Sequence, residues 1–237
     1  VTDTLILTGI QLEARALASQ LELQRCSGFP FLVFERRGDR LVRLAPVGLR
    51  ATLLPARWAA LVADLVSPLV ISAGTCGALS PELGIGDLVL PENVLGSSGE
   101  RLNVTFGVHA AALERSGSAR AGLLLTSPTL VETPEAKARC GRATGASAVD
   151  MESAAILAWA SRQGCPSLVV RAVSDTAQQH LPAQLAGLVT PDGALRIGKA
   201  LALALTHPRT LPQAFRLRRG TKTALKRVAG FLSMLLG

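Results

Sequence analysis

A chain of 237 residues with 49% hydrophobic and 18% charged residues can bury a full core and fits one large domain better than two small ones, so disorder is not its default. No stretch approaches the roughly 20 consecutive apolar residues of a spanning helix, and the start, Val1-Thr2-Asp3-Thr4, lacks the basic flank and cleavage site of a signal peptide, so a cytoplasmic protein is expected. The net charge of +8 is local: after Asp192 there are nine basic residues and no acidic one, which leaves residues 1–192 close to neutral.

Together with 3% aromatics and no tyrosine, that distribution argues against a binder of single-stranded nucleic acid. The four cysteines form no CxxC pair and the three histidines fall in no ligand spacing, so reduced thiols, no metal and no cofactor are expected.

In chain order, short apolar runs bounded by Gly, Pro or Asp predict strands over 4–7, 31–34, 41–44, 69–72, 88–90, 122–126 and 168–172. Helical spacing predicts helices over 12–21, 52–66, 134–144 and 152–163. This alternation points to an α/β fold, a single domain whose central, mixed but mainly parallel twisted sheet carries helices on both faces, with reactive groups in loops at the carboxyl ends of strands. Proline in Thr206-His207-Pro208-Arg209 interrupts helical pattern on both sides, which suggests a catalytic domain over 1–206 and a basic amphipathic helical extension over 207–237.

Three stretches carry chemistry. Gly74-Thr75-Cys76-Gly77 ends a buried strand; its backbone N–H groups and the Thr75 hydroxyl could cradle an anion, or the glycines could simply make a tight turn. Asp150-Met151-Glu152 stands where a strand gives way to a helix. Its carboxylates suit either a helix N-terminus or the hydroxyl pair of a ribose, with Met151 as an apolar floor for the sugar. Ser174-Asp175 follows a hydrophobic strand, where an acid could hold a proton for a leaving group or make a turn.

Gly-Thr-Cys-Gly-Ala with Gly-Asp-Leu-Val, then Val-Asp-Met-Glu-Ser-Ala, then Val-Val-Arg-Ala-Val-Ser-Asp, in this order, resembles the superfamily of purine nucleoside phosphorylase, uridine phosphorylase and methylthioadenosine/adenosylhomocysteine nucleosidase, over roughly 4–205. The resemblance implies that Asp175 protonates the purine at N7 with Ser174 and Arg171 in support, that Glu152 holds the ribose hydroxyls, and that Met151 packs on the sugar. It implies that Leu130 and Val131 line the base pocket and that Glu13 matches the nucleosidase glutamate that activates water. Inorganic phosphate is the other nucleophile, near Gly74 and Thr75. Ser72 stands where purine phosphorylases of the superfamily carry an arginine, so phosphorolysis would need Arg15 or Arg50, each of which also reads as a solvated surface charge. A homo-oligomer is implied as well.

In the C-terminal segment, Leu225, Val228, Phe231, Leu232, Leu235 and Leu236 share one helical face, and Lys222, Lys226 and Arg227 lie off it. Such a helix either lies on an anionic membrane, on the cytoplasmic face of the inner membrane, or docks on protein. The runs at 188–198 and 210–217 resemble the superfamily branch of bacterial hopanoid synthesis, which implies a lipid-linked purine nucleoside, adenosylhopane, cleaved by phosphorolysis with release of adenine. The alternatives are a nucleosidase for methylthioadenosine or adenosylhomocysteine, and a noncatalytic membrane-surface protein on the same fold.

Overall fold

The computed structural model describes residues 2–182, 187–190, 192–194, 196 and 211–237. The join expected near 206 and most of the run at 195–210 lie outside them.

The first β-strand, β1 (Thr4–Thr8), is buried along its whole length and is followed by α1 (Gln11–Gln20). Then come β2 (Gln24–Arg25), β3 (Phe34–Arg37), β4 (Leu41–Pro46), a 3-10 turn (Leu49–Ala51) and α2 (Leu54–Val62). The ten-residue β5 (Leu69–Ala78) leads to β6 (Leu88–Val89), β7 (Asn93–Leu95), β8 (Arg101–Asn103) and α3 (Phe106–Ser116). The chain continues through β9 (Leu123–Thr126), α4 (Pro134–Thr144), β10 (Ala148–Asp150), α5 (Ser153–Arg162) and β11 (Ser167–Asp175) to the long C-terminal helix α6 (Leu211–Leu236).

The strands form one mixed sheet in the order β2-β3-β4-β1-β5-β10-β9-β7-β8, with β11 on β5 and β6 on β11. β5 is the branch point. One edge pairs in parallel with β11 from Val70 to Gly77. The other edge pairs with β1 as far as Ser72 and with β10 only from Gly77 onward. Residues 73–76 therefore face a gap between two neighbouring strands, the kind of switch point at which open α/β sheets bind ligands.

Most predicted elements stand where their hydrophobic period places them. The expected strand over 31–34 is displaced to Phe34–Arg37, because Phe29 and Phe31 serve as lids over the guanidinium groups of Arg43 and Arg57, at 5.0 and 4.5 Å from the ring centres. α3 is an additional helix that the sequence reading does not include, and of its residues only His109 and Ala112 are buried.

α6 completes the main core. Ala224, Leu225, Val228, Phe231, Leu232 and Leu236 pack with Leu17 of α1 and Val170 of β11 in one buried cluster. The apolar stripe that could have met a bilayer is thus spent on protein. What α6 turns outward is basic, with Arg216, Arg218, Arg219, Lys222, Lys226 and Arg227 exposed beside Phe215. Among the described residues no helix is long and apolar enough to cross a membrane.

Candidate active site

β1 ends at Thr8, and Gly9-Ile10 turn the chain into α1, which carries Glu13 in its first turn and buries it to 6% exposure. Glu13 reaches into the gap on β5. Its Oε1 accepts from the backbone N–H and from the hydroxyl of Thr75, both at 2.9 Å, so the strand donor left without a partner by the gap is satisfied by a carboxylate.

Under this point runs Arg171 of β11, 1% exposed. Its Nε donates to Asp150 Oδ2 at 2.9 Å, and its Nη2 donates to the hydroxyls of Ser72 at 2.9 Å and Ser153 at 3.0 Å. A Cβ on Gly74 would stand 2.6 Å from Arg171 Nη1 and 2.8 Å from Glu13 Oε1, so glycine is required there for close approach. Burial works against the Arg171 charge, yet the charges of Asp150, Glu13 and Glu152 around it raise its pKa.

The two carboxylates at the end of β10 divide the roles that the sequence left open. Asp150 accepts from Thr126 Oγ1 at 2.7 Å and from the Ser153 backbone N–H at 3.0 Å, so it caps α5 and pairs with Arg171. Glu152 instead accepts, among the described residues, from the Arg50 backbone N–H alone, at 3.1 Å, and packs against Gly9, where a Cβ would come within 2.7 Å of its Cδ. Burial, and then the nearby charges of Asp150 and Glu13, push Glu152 up to about 8.

β11 ends in Ser174 and Asp175, both buried. Asp175 Oδ1 accepts from Ser174 Oγ at 2.7 Å and its Oδ2 from Lys137 Nζ at 2.5 Å. A Cβ on Gly77 would lie 2.9 Å from that Oδ2. Asp175 lines a pocket whose other walls include Leu130, Val131, Met151, Leu181 and Gly77, a mostly apolar slot that Asp150 also borders.

The structure thus brings together Glu13, Gly74, Thr75, Glu152, Met151, Ser174, Asp175, Leu130 and Val131. It does not bring Arg15 in: that side chain is exposed and donates to Gln11 at 3.2 Å. Arg50 lies at the rim, exposed, with its guanidinium on the Pro128 carbonyl at 3.4 Å. Thr75 is taken up by Glu13. Sequence reasoning missed Lys137 altogether, since one lysine in an Ala-rich helix looks like a solvated charge, and nothing in its neighbours tells that it is fully buried.

An open, mixed α/β sheet with a carboxylate-lined crevice at its branch point defines a class of fold, and comparison narrows it. The phosphorylase superfamily profile matches residues 4–205, and the chain belongs to that superfamily. No curated protein matches it. Among solved structures it is similar to the methylthioadenosine-bound mutant nucleosidase of Helicobacter pylori, at 15% identity and a TM-score of 0.74, over 99% of this chain and 98% of that one. It is similar to the 5'-methylthioadenosine/S-adenosylhomocysteine nucleosidase of Neisseria meningitidis in complex with methylthio-immucillin-A, at 18% identity and a TM-score of 0.74, over 100% and 99% of the two chains. The futalosine hydrolase of Helicobacter pylori matches equally well, at 16% identity and a TM-score of 0.74, over 99% and 97%. At these identities the likeness is one of fold.

Proposed function

We propose that this protein cleaves the N-glycosidic bond of a purine nucleoside and that water, activated by Glu13, is its nucleophile. The observation that carries the reading is the placement of Glu13 and Asp175 against Thr75 and Gly77, which lie about 7 Å apart on one strand at ~3.3 Å rise per residue, so that both carboxylates border the same stretch of β5. Heterolysis of C1′–N9 leaves positive charge on the sugar and negative charge on the base. Asp175, lining the mostly apolar slot, delivers a proton to N7. Glu152 holds the ribose hydroxyls over Met151, and the surplus of carboxylates around Arg171 stabilises an oxocarbenium-like centre.

The same surplus bears on phosphorolysis. Glu13 occupies the donors of Thr75 that a phosphate would need, and a dianion placed there would meet its charge. Phosphate would have to displace Glu13 or bind at the rim beside Arg50. Hydrolysis needs neither.

Adenosylhopane is the substrate we propose to test first, with methylthioadenosine as the small soluble alternative, and we propose that the enzyme works as a homo-oligomer. The outward stripe of Phe215, Arg218, Arg219, Lys222 and Lys226 on α6 supports a peripheral contact with anionic lipid on the cytoplasmic side, made by its basic face. The deciding assay is adenine release from each nucleoside with and without phosphate. Release that does not depend on phosphate is expected; strict dependence on phosphate would replace water as the nucleophile, and no release from either would remove the assignment.

A further inference from the structure

A buried cation stands beside the pocket, behind its wall. Lys137, in the first turns of α4, is 0% exposed. Its Nζ donates to Asp175 Oδ2 at 2.5 Å, to the Thr176 carbonyl at 2.7 Å and to the Gln179 carbonyl at 3.2 Å. An ammonium has three donors and no acceptor, and here it meets three acceptors. The site is built for the protonated amine. Only one acceptor is the carboxylate; the other two are main-chain oxygens of the turn after β11, so the amine is held independently of Asp175. A buried ion pair is a weak source of stability, because desolvation offsets much of its attraction. Its position is more informative: Asp175 is a wall of the pocket, while Lys137 lies behind it.

We propose that Lys137 is the proton store for the departing purine and acts through Asp175, as a positioning residue that never touches the base. This rests on the purine-cleaving reading above. As C1′–N9 breaks, its electron pair goes to the base, a proton passes from Lys137 Nζ to Asp175, and a proton passes from the Asp175 carboxyl to N7. Asp175 ends as it began. Lys137 is left as a neutral amine whose two remaining N–H groups still match the carbonyls of Thr176 and Gln179. The water that adds to C1′ loses its proton to Glu13, and exchange with solvent restores both the ammonium and the Glu13 carboxylate.

The experiment is a mutant cycle on adenine release, using whichever of methylthioadenosine or adenosylhopane the wild type cleaves. Lys137→Met removes the cation. Lys137→Gln keeps a hydrogen bond to Asp175 but holds no proton to give, and it guards against a Met variant that does not fold. Both are expected to lower kcat by about 100-fold or more, within the range of general acid catalysis, with KM changed less than about threefold. Added to Asp175→Asn, neither should lower kcat further. A Lys137→Gln enzyme with wild-type kcat overturns the proposal, and so does a loss that falls on KM or multiplies in full with that of Asp175→Asn. A wild type that releases adenine from neither nucleoside overturns the functional reading and this inference with it, whereas an active wild type with an insensitive Lys137 overturns this inference alone.

Discussion

Glu13 and Thr75 are joined twice: one carboxylate oxygen accepts both the main-chain N–H and the side-chain hydroxyl of Thr75, each at 2.9 Å. They lie 62 residues apart in sequence and meet because β1 stops pairing with β5 at Ser72 and leaves the next stretch of that edge open. The nucleophile's activator is therefore anchored on the strand whose far end, at Gly77, abuts Asp175.

Glu13→Gln keeps an acceptor for Thr75 and removes the base. Hydrolytic kcat should fall by about 100-fold or more with little change in thermal stability, since general base catalysis accounts for roughly 10²–10⁴-fold. Because the charge facing an incoming anion is also lost, phosphate should stimulate the variant more than the wild type. Steady-state rates across a phosphate series check both.

Gly9→Ala places a methyl within 2.7 Å of Glu152 Cδ. The carboxylate must shift, so KM for the nucleoside should rise by about tenfold, the equivalent of about 1.4 kcal/mol, while the fold is retained. A KM equal to wild type, from initial-rate measurements, would show that Glu152 does not hold the ribose.

Asp150 and Glu152 should respond oppositely to loss of charge. Asp150→Ala strands the buried Arg171 guanidinium and uncaps α5, with an expected cost of about 3–5 kcal/mol. Glu152→Gln should leave stability near or above wild type and weaken substrate binding. Denaturant unfolding and ligand titration of the two variants separate these effects.

The raised Glu152 pKa has a definite sign in stability. The unfolded chain loses this proton near the ordinary value of 4.5, whereas the native protein keeps it to about 8. Over that window the native state binds more protons than the unfolded one, so stability falls as pH rises and levels off above about 8. Unfolding midpoints measured from pH 5 to 9 should show this fall, and Glu152→Gln should flatten it.

Much of this was legible in the chain itself. The buried β1 and β11, the strand that becomes β5, and helices α1 and α5 are each marked by a local apolar period, and Asp175, Glu152 and Glu13 by their place at the ends of such runs. What periodicity cannot carry is the partner of a polar group. Asp150 and Glu152 stand two residues apart with the same chemistry, and only packing turned one onto Arg171 and the other toward Gly9 and Arg50.

The sequence by itself determined the α/β class and the set of carboxylates available for catalysis, because burial and chain reversal are written in residue type over short windows. Tertiary structure alone decided that Glu13 occupies the donors of Thr75, that Lys137 is a buried ammonium on Asp175, and that the apolar face of α6 is spent on the core. The physical reason is range: apolar pattern acts over a turn or a strand, while a hydrogen bond must be placed within about 3 Å, and that placement depends on which strands share the two edges of β5.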